Sequence, residues 1–171
     1  LFETVESALE DPRMLGKTFD YYGPMIYIEL DGRFNMRADL QEIPENLRGL
    51  REFSDGTVNV CPVLSAGYPY TDYSANIEPN GMMKYQVMEA FAGGAKGVIL
   101  YSEGWFDALD MQCFAEAMRQ IVPVEDVIAS GTPIAPDRLQ DLNSTVFVKG
   151  METKAEAVIL VSDYSSKPKQ A

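Results

Sequence analysis

Residues 93–105, Gly93-Gly94-Ala95-Lys96-Gly97-Val98-Ile99-Leu100-Tyr101-Ser102-Glu103-Gly104-Trp105, constrain the fold more than any other stretch. A glycine pair stops a helix, an apolar run makes a short buried strand, and a polar loop then carries a carboxylate and the chain's single tryptophan. A strand entered from a helix through a tight turn, with a second helix after its loop, is the grammar of a parallel βα unit.

The same order is written upstream. Residues 1–17 read as a short helix at 5–9, a break at Asp11-Pro12 and a connector. Met25-Ile26-Tyr27-Ile28-Glu29-Leu30 lies between Gly23-Pro24 and Asp31-Gly32, and its lack of alternation suits a strand covered on both faces. Leu40, Ile43, Leu47 and Leu50 recur at helical spacing. Because proline fits best in a first turn, the spacing predicts the main helix over 44–53, stopped by Ser54-Asp55-Gly56. A second strand is expected over 57–64, with Pro62 weakening its later half. Residues 65–81 form a long loop with Tyr68, Tyr70 and Tyr73 beside Asp72 and Glu78, either a binding segment or a surface excursion packed on the body. Asn80 caps a helix predicted over 82–92, and the strand 97–101 follows. The last helix, 106–122, places Phe106, Leu109, Cys113, Ala117 and Ile121 on one stripe; Pro123 ends it and 124–129 adds a turn.

After Ser130-Gly131-Thr132-Pro133 the pattern changes. Residues 134–143 read as a polar connector, 145–148 and 157–161 as two strands, and 165–171 as a disordered tail. The domain expectation is therefore a connector over 1–20, a βα region over 21–130, and a linker with strands over 131–171.

Composition excludes several function classes. A net charge of -12, with 14 scattered Lys and Arg, argues against a nucleic-acid partner. Without histidine, the common zinc sites and any Ser-His or Cys-His nucleophile within the chain are ruled out, and neither metal nor cofactor is expected. Cys61 and Cys113 read as buried thiols rather than a bridge. No apolar run is long enough to span a membrane. There is no signal-peptide pattern, and a start at Leu1 fits a mature chain or a piece of a longer one. The triplet Asn143-Ser144-Thr145 is a glycosylation sequon and points to a secreted or cell-surface protein.

The run 82–129, with Ala92-Gly93-Gly94-Ala95-Lys96-Gly97-Val98-Ile99-Leu100-Tyr101 and the closing Ile121-Val122-Pro123-Val124-Glu125-Asp126-Val127-Ile128, resembles the last two βα units of (β/α)8-barrel glycoside hydrolases. In that family such a turn feeds the eighth strand and a small β-sandwich often follows, which Val158-Ile159-Leu160-Val161-Ser162-Asp163-Tyr164 is similar to. The resemblance implies an α/β fold, the last three βα units of a TIM-type barrel followed by β-sandwich strands. Residues 25–30, 57–64 and 97–101 would be its sixth, seventh and eighth strands. At 171 residues the chain cannot close a barrel of about 250 residues. Another chain or a preceding polypeptide would complete it.

On this reading the loops after the strands share one working face. Glu103 and Asp31 are the candidate catalytic acids; Trp105, Tyr68, Tyr70, Asp72, Tyr73 and Glu29 are the candidate carbohydrate-binding residues. Aromatic faces stack on sugar rings and carboxylates accept hydroxyl hydrogen bonds, a mixture that suits carbohydrate. Each also has a plain role: Glu103 as a solvated or capping acid, Trp105 as an anchor for the last helix, Asp31 as a turn residue. Glycosidases need two carboxyl groups, and the family's seventh-strand glutamate has no counterpart in Leu64-Ser65-Ala66-Gly67. A non-catalytic structural or binding module is therefore the alternative. A self-contained three-stranded open α/β domain is a third arrangement, without the Gly-rich phosphate loop a nucleotide would need.

Overall fold

A computed structural model describes residues 11–26, 36–65, 82–101, 108–139 and 146–163. A 3-10 turn at Pro12–Met14 leads into α1 (Leu15–Thr18), followed by β1 (Met25–Ile26), α2 (Met36–Phe53), β2 (Val63–Ser65), α3 (Met82–Ala92) and β3 (Ile99–Tyr101). Then come α4 (Ala108–Ile121), a 3-10 turn at Val122–Val124, α5 (Glu125–Ser130), β4 (Thr132–Pro133), a 3-10 turn at Pro136–Arg138, β5 (Val146–Glu152) and β6 (Ala157–Asp163). Among the described residues no helix is long and apolar enough to cross a membrane.

β1, β2 and β3 form a parallel sheet in sequential order, with Met25, Val63 and Ile99 in one row and Ile26, Leu64 and Leu100 in the next. Parallel pairing continues upstream: Cys61 donates its backbone N–H to Tyr22 at 2.9 Å, and Lys96 donates to Val60 at 2.8 Å. Side chains alternate across a strand. The Ile26 and Leu64 row is buried against α2, α3 and α4, sharing one core with Leu40, Ile43, Leu47, Val87, Ala90, Cys113 and Ala117. The opposite face is largely open: Met25 is 73% exposed and Ile99 and Tyr101 are each 50% exposed, with Val63 partly buried between the outer strands. All three long helices thus lie on one side, α2 packed on α3 and α3 on α4.

β4, β5 and β6 make an antiparallel sheet that packs on α3 and α5. This gives α3 covering on several sides and explains its buried polar residues Gln86 and Glu89.

Local chemistry sets the helix ends. Ala95 N–H bonds to Ala90 O at 3.0 Å and Gly94 N–H to Phe91 O at 3.1 Å, the paired bonds of a Schellman cap. Gly94 sits at φ 98, which a side chain resists. The same motif closes α2, with Gly56 N–H on Arg51 O at 2.7 Å and Asp55 N–H on Glu52 O at 3.3 Å. Lys96 then donates from Nζ to the carbonyls of Ile128 (2.7 Å), Ala129 (2.9 Å) and Gly131 (3.3 Å), so the glycine turn also caps α5.

Four expectations change. The first long helix, α2, starts at Met36 rather than at 44 and carries Pro44 inside it. An interior proline costs about 3 kcal/mol, but fully burying Leu40 and Ile43 on the same stripe contributes about 1.5–3 kcal/mol each. In the second strand the regular ladder is confined to Val63–Ser65, after Pro62, with an isolated parallel bridge between Tyr22 and Val60 before it; Pro62 lacks an N–H but its carbonyl accepts from Ile99 N–H at 2.9 Å. The connector 134–143 is preceded by β4, which pairs Thr132 with Glu152 and Pro133 with Met151. Residues 124–129 form helix rather than a plain turn. Asn80, the expected cap of α3, and the expected helix at 5–9 and tail at 165–171 lie outside the described residues.

Candidate functional site

The parallel strands end level. Ile26 is one pairing step from Ser65, and Ser65 is the register partner of Tyr101. With neighbouring strands about 4.8 Å apart, the ends of β1 and β3 stand roughly 10 Å from one another. Segments 27–35, 66–81 and 102–107 leave from this one edge, and every sequence-predicted site residue belongs to them. Glu29 and Asp31 follow β1, Tyr68, Tyr70, Asp72 and Tyr73 follow β2, and Glu103 and Trp105 follow β3. All of these residues lie outside the described residues. The structure therefore brings their starting points to one edge of the sheet, and Glu103 and Asp31 follow their strand ends by two and five residues.

Among the described residues no group of three or more Cys, Asp or Glu is placed to hold a metal ion. Cys61 and Cys113 are free thiols, and burial pushes the Cys61 thiol up from its ordinary range.

A polar cluster that sequence reasoning missed sits behind the sheet. Glu89 of α3 is fully buried; Lys149 Nζ of β5 lies 2.5 Å from its Oε2, and Ser162 Oγ of β6 donates to its Oε1 at 2.8 Å. Lys149 also lies over the Phe147 ring, 5.8 Å from its centroid. A carboxylate with a cation and a hydroxyl on its two oxygens is a closed arrangement that ties the antiparallel sheet to α3. The only signal in the sequence was an acid and an amide, Glu89 and Gln86, in an otherwise apolar helix.

A second polar site lies toward the opposite ends of the strands, where α2 and α3 terminate. A cavity of about 470 Å³ opens between α2, the end of α3 and strands β4 and β5, with Arg51 on its wall. Burial pushes the Arg51 guanidinium down from its ordinary value, and the nearby Arg51 charge adds to burial in lowering Lys96.

No family model, no curated protein and no solved structure matches this chain.

Proposed function

We propose that the chain is the closing part of a (β/α)8-barrel protein of glycoside hydrolase type, followed by the first strands of a β-sandwich, and that it binds carbohydrate at the ends of β1, β2 and β3. The observation that carries this reading is the open face of the parallel sheet, where Met25, Ile99 and Tyr101 are exposed and Val63 is partly buried, while the long helices among the described residues pack on the other face. Parallel sheets are covered on both faces. A doubly wound sheet achieves this with helices on each side and a reversal of strand order; a singly wound one achieves it by closing, so that the open face turns to the barrel interior. Sequential order with one helix layer favours closure. The completing strands come from another chain or from preceding polypeptide.

Carbohydrate is favoured by the mixture of Tyr68, Tyr70, Tyr73 and Trp105 with Glu29, Asp31, Asp72 and Glu103 in the three segments that leave the level edge. Titrating the intact protein with a panel of neutral oligosaccharides, while following Trp105 emission, tests it. A saturable change that Tyr70→Ala weakens is expected, and isothermal titration of Trp105→Phe, which lacks the emitting indole, should show the binding lost as well. Silence across the panel, with the fold intact, refutes carbohydrate as the ligand.

One observation favours a non-catalytic version of the same site: β2, the counterpart of the seventh strand, ends in Ser65 with no carboxylate. Sugar binding without turnover of aryl glycosides by the intact protein supports that version, and turnover lost in Glu103→Gln supports the hydrolase. The sequon at Asn143 fits a secreted or cell-surface protein, and glycan mass at Asn143 in native material checks it.

A further inference from the structure

The cavity beside Arg51 lies away from the strand ends where carbohydrate is placed, and its chemistry is different. Its apolar wall is built from Pro133, Ile134, Leu139 and Phe147, and about 470 Å³ is within the range of small-molecule pockets. Two of the three cations on its wall are paired, and Arg51 is the third. Lys149 is held by Glu89 at 2.5 Å. Arg48 Nε stands 3.9 Å from Glu52 Oε1 at the exposed mouth, where Glu45 adds a further acid. The Arg51 guanidinium makes no hydrogen bond or ion pair to another described residue, and it is only partly exposed.

A half-buried guanidinium with five donors and no partner among the described residues is costly to leave so. Lys96 compounds the cost, because its ammonium is fixed on three carbonyls and repels Arg51. One anion at Arg51 relieves both. We propose that this cavity binds a small organic monocarboxylate, its carboxylate paired with Arg51 and its apolar body against Pro133, Ile134 and Phe147. The planar fork of arginine matches a carboxylate bidentately. A dianion fits less well, since a single uncompensated cation faces the cavity while Glu45 and Glu52 stand at its mouth. The apolar wall would be wasted on inorganic phosphate.

The test uses the full chain and three probes: 2-naphthoate, its neutral amide, and inorganic phosphate. Isothermal titration and methyl NMR of Ile134 are the readouts. Naphthoate is expected to bind saturably and shift the Ile134 methyl, with at least tenfold weaker binding in Arg51→Gln and an intermediate loss in Arg51→Lys. Because Arg51 has no described partner to lose, both variants are expected to keep the circular dichroism of the parent. If Arg51→Gln does not fold, the comparison of acid with amide on the unaltered chain decides. Naphthamide binding as tightly as naphthoate, naphthoate surviving Arg51→Gln unchanged, no binding of naphthoate, or phosphate binding in its place would each overturn the proposal. None of these outcomes bears on sugar binding at Trp105, so the two sites fail independently.

Discussion

Lys149 Nζ lies 2.5 Å from Oε2 of Glu89, a carboxylate with no exposed surface, across 60 residues of sequence. Burying both charges is expensive, so the pair specifies how the antiparallel sheet docks on α3 more than it adds stability. Removing one partner strands the other. Lys149→Met is expected to cost about 3–5 kcal/mol in urea denaturation, while Glu89→Met with Lys149→Met loses clearly less than the single change. Equal losses in the two variants would mean that the pairing is not what Glu89 contributes.

Two glycines should respond to alanine with opposite signs. At Gly94, φ is 98 and a Cβ would stand 2.7 Å from Pro133 Cγ and 3.2 Å from an Arg51 nitrogen, so Gly94→Ala is expected to destabilise by about 1–3 kcal/mol. Gly49 lies within α2, is exposed, and has nothing within 4 Å of where a Cβ would be, so Gly49→Ala should stabilise by about 0.5–1 kcal/mol. Thermal unfolding of both variants beside the parent checks the pair of signs.

Cys61 packs its Sγ 3.1 Å from where a Cβ on Gly97 would stand, and burial favours its neutral thiol. The thiolate is the reacting species. Alkylation of Cys61 by iodoacetamide at pH 8, followed by peptide mass spectrometry, should be slower than that of the same thiol in urea-unfolded chain. Because the folded state holds the proton more tightly, the thiol's contribution to stability is constant below the unfolded pKa and falls as pH rises through the folded one. Labelling as fast as in the unfolded chain would contradict this.

What could be read in the sequence follows from how local each cause is. α3 was expected over 82–92 and occupies Met82–Ala92, because the apolar stripe and the glycine pair act within the helix itself. The start of α2 was misplaced because Pro44 is a local penalty and the burial that outweighs it is tertiary. β4 is two residues long and contains Pro133; nothing in its composition announces a strand, and its pairing with β5 arises in the fold. Glu89 and Arg51 owe their settings to strands that lie 40 or more residues downstream. Of the expected sugar site, the level strand ends belong to the described structure, while Glu29, Asp31, Tyr68, Tyr70, Asp72, Tyr73, Glu103 and Trp105 lie beyond it.

The most direct test of the closed-barrel reading is the accessibility of the sheet's open face in native protein. Hydroxyl-radical footprinting of Met25 and Tyr101, compared between this chain alone and the intact native assembly, reads it by peptide mass spectrometry. The account predicts rapid oxidation of both in the isolated chain, where they are 73% and 50% exposed, and at least tenfold protection in the native assembly. Equal oxidation in the two samples, with this chain folding cooperatively as a monomer, would contradict it and leave a self-contained open sheet.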